Sequence, residues 1–253
     1  MVADLTALSR KVVVIPKRNT RKTKTMRKSM IAFLIGLCAA LSLCGQTQAF
    51  RWVKNWSFTG FGNRQTEPFQ IWGSEWRLAY TPHGKTPFGV TIHEITTGRA
   101  DTLVNQQQNG RNATGGTARG KGAMRLAYLT VNAWDASWKL QLEQYMDKPD
   151  EWQYINWTPY EKKLKPFGSW GGAVGDRELS IEVSDGIGRM TIKQNRPGRL
   201  CADIIDESGL TILHRVSLEA TSMDTWFYKP GVYTVRVSAI DTEWSLFVET
   251  VEK

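Results

Sequence analysis

Cysteine is scarce in this chain, with three in 253 residues. Cys38 and Cys44 fall in an apolar N-terminal run, so only Cys201 stands in the remainder. A single cysteine forms no internal disulfide, and the fold must rest on its own core. Histidine is as rare: His83, His93 and His214 are the three, and none stands in a His-x-x-x-His spacing. Cys201 has no cysteine beside it to make a zinc pair. There is no Gly-x-Ser-x-Gly elbow, no glycine-rich phosphate loop and no Walker pattern. By motif, these absences remove the elbow hydrolases, the P-loop nucleotidases and the zinc fingers. The sequence nominates no catalytic residue, no metal ligand set and no cofactor. No stretch keeps a 3.6-residue apolar period, which argues against helical bundles and βαβ units.

The net charge of +9 is concentrated at one end. Residues 1–49 hold nine Lys or Arg and one acid, Asp4; after Ala49 the counts are 24 basic and 23 acidic, a net of +1. That balance lacks the excess charge with which proteins hold phosphate backbones, so no nucleic-acid partner is expected. Arg27 and Lys28 precede an apolar run over residues 30–43, and Thr47-Gln48-Ala49 closes it with a small-x-Ala site. Basic start, short apolar core and small-residue site describe a secretory signal peptide. The core is shorter than the roughly 20 residues of a membrane span, and the remaining chain has no such run. Leu43 precedes Cys44 where a lipoprotein signal places Gly, Ala or Ser, which argues against a lipid anchor. The expected location is secreted, periplasmic or in the cell envelope.

What the chain does contain is a repeat. Residues 231–249 (GVYTVRVSAIDTEWSLFVE) align without gaps on residues 125–143 (RLAYLTVNAWDASWKLQLE). Ala239 falls on Ala133, Asp241 on Asp135, Trp244 on Trp138 and Leu246 on Leu140. Each copy is an alternating strand, a short turn and a second alternating strand. Upstream, residues 88–94 (FGVTIHE) match residues 200–206 (LCADIID), and a further strand follows each. Ser184-Asp185-Gly186 reads as a hairpin turn between two strands. About six short strands per copy are expected, in an all-β chain of two tandem antiparallel β-sandwich, jelly-roll-like domains. The boundaries read as 1–49 for the extension and signal, 50–146 for the first repeat, 147–164 for a connector and 165–253 for the second repeat.

Tryptophan is the compositional signal. All eleven lie after Ala49. Trp138 and Trp244 share one repeat position and are expected in the core. Trp134 falls in a turn where its counterpart is Ile240, and is expected at the surface. The connector holds Trp152, Tyr154, Trp157 and Tyr160 within nine residues, too many rings for a solvated linker. Flat exposed rings serve both sugar stacking and protein contact. Trp134, Trp152, Tyr154, Trp157 and Tyr160 are therefore the candidate ligand-binding residues, with Trp56 as a further ring to test for sugars. Residues 105–122 (NQQQNGRNATGGTARGKG) read as a long polar loop tip. Asp135 and Asp241 recur in equivalent turns and suggest a backbone role; structural calcium is the alternative there, though no dense acidic loop is present. Asp203, Asp206 and Glu207 cluster at a strand end, and turn chemistry accounts for most of it.

The ending Gly231-x-Tyr233-x-Val235-x-Val237-x-Ala239, then Trp244-x-Leu246-x-Val248-Glu249, resembles the close of small jelly-roll modules of secreted bacterial proteins. These include the bacterial pre-peptidase C-terminal type and related repeats of unknown function. The first copy departs from the pattern, with Arg125 and Ala127 in place of Gly231 and Tyr233. The resemblance implies a non-catalytic module that binds surfaces or neighbouring domains. The expectation is an exported, non-enzymatic binding or structural protein with a protein or polysaccharide partner outside the cytoplasm. Two alternatives stand beside it: a carbohydrate-binding protein using exposed Trp or Tyr, and a hydrolase with a carboxylate pair.

Overall fold

The computed structural model describes residues 51–85, 87–107, 111–134, 136–146, 164–184 and 186–251. Within them every named element is a strand. The first half of the chain supplies β1 (Arg51–Phe61), β2 (Arg64–Gln65), β3 (Phe69–Ile71), β4 (Glu75–Gly84), β5 (Phe88–Glu94), β6 (Ala100–Gln106), β7 (Gly116–Lys121), β8 (Met124–Asn132) and β9 (Ala136–Met146). The second supplies β10 (Leu164–Gly172), β11 (Gly175–Val183), β12 (Gly188–Gln194), β13 (Arg199–Ile205), β14 (Thr211–Ser217), β15 (Ser222–Phe227), β16 (Gly231–Ile240) and β17 (Trp244–Val251).

One four-stranded sheet runs β1-β9-β4-β7 and another runs β10-β17-β12-β15. The remaining strands form one long sheet, β11-β16-β13-β14-β2-β8-β5-β6, with β3 also on β8. With β2 and β3 counted as one broken strand, both halves have the same order. Strands one, eight, three and six make one sheet; strands two, seven, four and five make the other. This is the jelly-roll arrangement, and the chain is all β with antiparallel pairing.

Alternation explains which side of each strand is buried. In β9, Trp138, Leu140 and Leu142 face inward between less buried neighbours, and in β17 Trp244, Leu246 and Val248 do the same. The first core joins these β9 residues and Leu78 to Phe88, Val90, Ile92, Leu129 and Val131 of the long sheet. The second joins the β17 residues, Met190 and Ile192 to Leu200, Ala202, Ile204, Val235 and Val237. Each fully buried side chain of this kind contributes about 1.5–3 kcal/mol of transfer free energy.

Three expectations change. The strands number nine and eight per half, not about six, because β1, β7, β10 and β15 have weak apolar patterns. The polar stretch 105–122 contains β7, which pairs with β4 through Arg77↔Arg119 and Leu78↔Ala118. β7 is an edge strand, so its outward positions need no apolar residue. The turn at Ser184 and Gly186 is no hairpin: β11 and β12 lie in different sheets, and the chain crosses between layers there. Asp185 lies outside the described residues.

The two cores meet along the long sheet. Only Leu213↔Arg64 pairs β14 with β2, so side chains make most of the joint. Arg64 Nη2 donates to Asp224 Oδ2 at 2.7 Å, Gln65 N donates to Thr225 Oγ1 at 3.0 Å, and Tyr228 Oη donates to the Thr66 carbonyl. Tyr128 and Tyr228 stack at 3.7 Å between ring centres, and His93 stacks on Tyr128 at 4.6 Å. Arg215 lies over the Phe61 ring.

Candidate functional site

Of the five rings nominated from sequence, Trp152, Tyr154, Trp157 and Tyr160 lie outside the described residues. Trp134 is in the β8–β9 turn and is 51% exposed. Its ring lies flat on the imidazole of His214 in β14, 3.9 Å between centres. The turn is fixed by Asn63 Oδ1, which accepts from the Ala133 and Trp134 amides. Trp134 therefore touches the second half while leaving one face to solvent. Trp56 packs against the first core, with its ring parallel to Phe58 and tilted against Phe69. Trp138 and Trp244 are buried, as their shared repeat position implied.

A groove of about 620 Å³ lies on the outer face of the β10-β17-β12-β15 sheet. Its apolar rings are Phe167 and Phe247, 40% and 38% exposed. Phe167 is turned out by a break in the β10–β17 register between Pro166 and Gly168, the effect of a bulge. Phe247 faces outward by alternation with Leu246 and Val248, and Lys193 Nζ lies 5.0 Å from its ring centre. Ser169, Thr191 and Ser222 line the groove with the rings, and Arg189 is held on Glu249 Oε2 by two donors at 3.0 and 2.6 Å.

Arg189 and Asp224 also line a smaller cleft of about 240 Å³ at the joint, with Arg64, Glu67, Trp138 and Trp226. Enclosure raises the Glu67 carboxyl above its usual range. Arg64 opposes that shift, Asp224 adds to it, and Arg189 opposes it. Glu67 and Asp224 thus share one cleft, a pairing of acids that residues 157 positions apart could not reveal in sequence. On the opposite side, a cavity of about 260 Å³ holds His93, Tyr128, Asp206 and Tyr233. Burial lowers His93, with Lys229 adding to the shift. Burial first and then Asp206 push the Tyr128 and Tyr233 hydroxyls up to about 12.

A third grouping escaped sequence reading. Cys201 and Asp203 lie two residues apart on β13, and Asp203 is the cross-strand partner of His214 on β14. His214 Nδ1 sits 2.6 Å from Asp203 Oδ1. The ligand atoms of all three residues lie within 4.8 Å of one another. Burial and then the Asp203 charge raise the Cys201 thiol, with Arg199 acting against them. The one signal available was the Cys201-x-Asp203 spacing, which puts both on one face of a strand. Asp206, by contrast, does serve its turn: Oδ1 accepts from the Ser208 and Leu210 amides. Asp241 has φ 56°, a left-handed conformation that Asp tolerates, consistent with a backbone role; Asp135 lies outside the described residues.

The fold and these surfaces define an all-β, jelly-roll-like protein. No family model matches the chain, and no curated protein matches it. Solved structures similar to it include the PBSX exported protein XepA, at 9% identity over 78% of this chain and 86% of that one, TM-score 0.25. A cupin 2 conserved barrel domain protein from Leptotrichia buccalis shows 9% identity over 82% and 91%, TM-score 0.22. A single-substitution variant of the oxalate decarboxylase of B. subtilis shows 11% identity over 79% and 69%, TM-score 0.24. At these values the likeness carries no argument about activity, and the resemblance to secreted bacterial modules stays at the level of a jelly-roll-like fold.

Proposed function

We propose that this chain is an exported, non-catalytic binding protein, and that its ligand seat is the groove on the β10-β17-β12-β15 face. The supporting observation is the lining: two exposed phenyl rings beside hydroxyls and an arginine that donates twice to one carboxylate oxygen. Ligand sites combine apolar surface with a few placed polar groups, and this face has both. Residues 1–49 act as the extension and signal peptide, and residues 50–146 and 165–253 are the two domains. The partner is met outside the cytoplasm. Asp224 and Glu249 are each tied to an arginine, which suits them to positioning rather than to acid–base turnover.

Carbohydrate is the ligand class best suited to that lining, since sugar rings offer an apolar face to stack and hydroxyls for Arg189 and Glu249. The test is a titration of the full-length chain with a panel of polysaccharides, read by calorimetry. Saturable binding weakened at least tenfold in Phe247→Ala or Phe167→Ala supports the reading. A flat response across the panel removes carbohydrate and leaves a protein partner to be sought with the same variants. A hydrolase has one observation in its favour, the Glu67–Asp224 cleft. Turnover of any glycan that Glu67→Gln abolishes would replace the binding reading.

A further inference from the structure

Alternation sends Leu200, Ala202 and Ile204 of β13 into the second core. It sends Cys201 and Asp203 to the outer face of the same strand, where the antiparallel register sets His214 opposite Asp203. The result is one thiol, one carboxylate and one imidazole on a rigid sheet, away from both cores. Trp134 closes one side of the imidazole. The other side of the group opens on a depression of about 490 Å³ that includes Cys201 and Asp203, with Asp176, Arg177, Glu178 and Arg236. Glu178 holds Arg236 by an ion pair at 2.9 Å, which gives that cation a carboxylate of its own and leaves Asp203 to the group.

Cysteine sulfur, histidine nitrogen and carboxylate oxygen are all zinc donors, and three protein ligands with an open fourth position are the pattern of zinc sites that keep room for water or a substrate. A tetrahedral ion at about 2.0–2.3 Å from each donor holds the donors about 3.3–3.6 Å apart. Here all three lie within 4.8 Å, with the Asp203–His214 contact at 2.6 Å. Loading would call on rotation of the Cys201 and Asp203 side chains to close that difference. We propose that Cys201, Asp203 and His214 bind a divalent cation of the zinc class, with the fourth position facing the depression. Loading converts the Cys201 thiol to thiolate, and its proton passes to solvent. A thiol beside a carboxylate makes a poor free nucleophile, whereas a cation between them satisfies both charges. The site is separate from the groove of the proposed binding function, and either can fail without the other.

Cobalt(II) is the probe, because a thiolate ligand gives it a charge-transfer absorption that water and imidazole do not. The full-length chain, reduced with a non-thiol reductant, is titrated with Co²⁺ in a non-chelating buffer. The expected result is a near-ultraviolet thiolate–cobalt band that saturates at one equivalent and is bleached by Zn²⁺. Cys201→Ser preserves size and sheet position, and it removes the band and weakens Zn²⁺ binding by more than the roughly 10–100-fold cost of losing an outer-shell partner. Cys38→Ser with Cys44→Ser leaves the band in place. Circular dichroism confirms that each variant is folded. Absence of the band in the unaltered chain, its survival in Cys201→Ser, or its loss in the Cys38 and Cys44 variant would each overturn the proposal.

Discussion

The joint between the two halves can be tested with a pair of glycines. Gly62 and Gly98 have almost the same backbone, φ +70° and +72°. A Cβ at Gly98 meets nothing within 4 Å, whereas one at Gly62 would stand 2.0 Å from the His214 carbonyl oxygen of β14. Alanine at either site adopts a left-handed conformation at a cost of about 1–2 kcal/mol. Reduced freedom of the unfolded chain returns about 0.4–1 kcal/mol of that. Gly98→Ala should therefore cost about 1 kcal/mol. Gly62→Ala carries the same conformational cost, and in addition β14 must withdraw from β2 by about 1 Å. Overpacking of this kind adds about 1–3 kcal/mol, for a total of about 2–4 kcal/mol. In a folded region of this size, 1 kcal/mol lowers Tm by about 2–4 °C. Calorimetry of the full-length chain should then show a loss of about 2–4 °C for Gly98→Ala and about 4–16 °C for Gly62→Ala. Equal losses would refute the close approach of the two halves at Gly62, and with it the continuous sheet.

Other consequences follow from single contacts. A Cβ on Gly60 would lie 2.3 Å from the Trp138 ring and one on Gly172 2.8 Å from the Trp244 ring, so each Ala variant costs about 1–3 kcal/mol, Gly60→Ala the more, read by urea denaturation at unchanged m-value. His93 titrates lower in the fold than its ordinary 6.5, so the unfolded chain binds more protons between those two pKa values. Stability therefore rises with pH across that window and is lost as pH falls from about 6.5 downward. His93→Gln, measured at about pH 5.5 and pH 7.5, should flatten this slope; an unchanged slope places its origin elsewhere. Trp134→Ala removes the ring over His214, costs about 0.5–1.5 kcal/mol in thermal denaturation and speeds acylation of His214 by diethyl pyrocarbonate. Unchanged acylation would mean that the ring does not shield the imidazole.

The core was legible because alternation is a local signal. Trp138, Leu140 and Leu142, and their counterparts Trp244, Leu246 and Val248, sit where the repeat placed them. The matched pair 88–94 and 200–206 became β5 and β13, which occupy the same place in the two jelly rolls. The outer strands were not legible. β1 and β10 each place a glycine, Gly60 or Gly172, under the tryptophan of the neighbouring strand, a contact between residues 78 or 72 positions apart. Nothing in the local sequence of either glycine announces a ring to come. The surfaces were hidden for the same reason. Phe167 owes its exposure to a bulge, and the Cys201–Asp203–His214 group owes its existence to a cross-strand register that one sequence does not encode locally. Trp134 was marked as a surface ring from its turn position, but its partner His214 belongs to the other half.

The joint is asymmetric, and that asymmetry is what makes it internal to one chain. It sets the fifth strand of the second jelly roll, β14, against the second strand of the first, β2, a head-to-tail contact. Such contacts can propagate between copies when the free ends match. Here the ends of the long sheet are β6 and β11. β11 corresponds to the β2–β3 stretch but does not repeat its devices. After Gly60 the chain turns left-handed at Gly62, and Asn63 and Arg64 then reach the β8–β9 turn and Asp224. After Gly172 it turns at Gly175, and Asp176, Arg177 and Glu178 follow, all exposed. A strand added to β11 would have to desolvate this run of charge with no Asn63 to order it, and charged edges of this kind oppose pairing. The two halves thus share a topology and differ at this edge stretch, where β11 lacks the devices by which β2 meets β14.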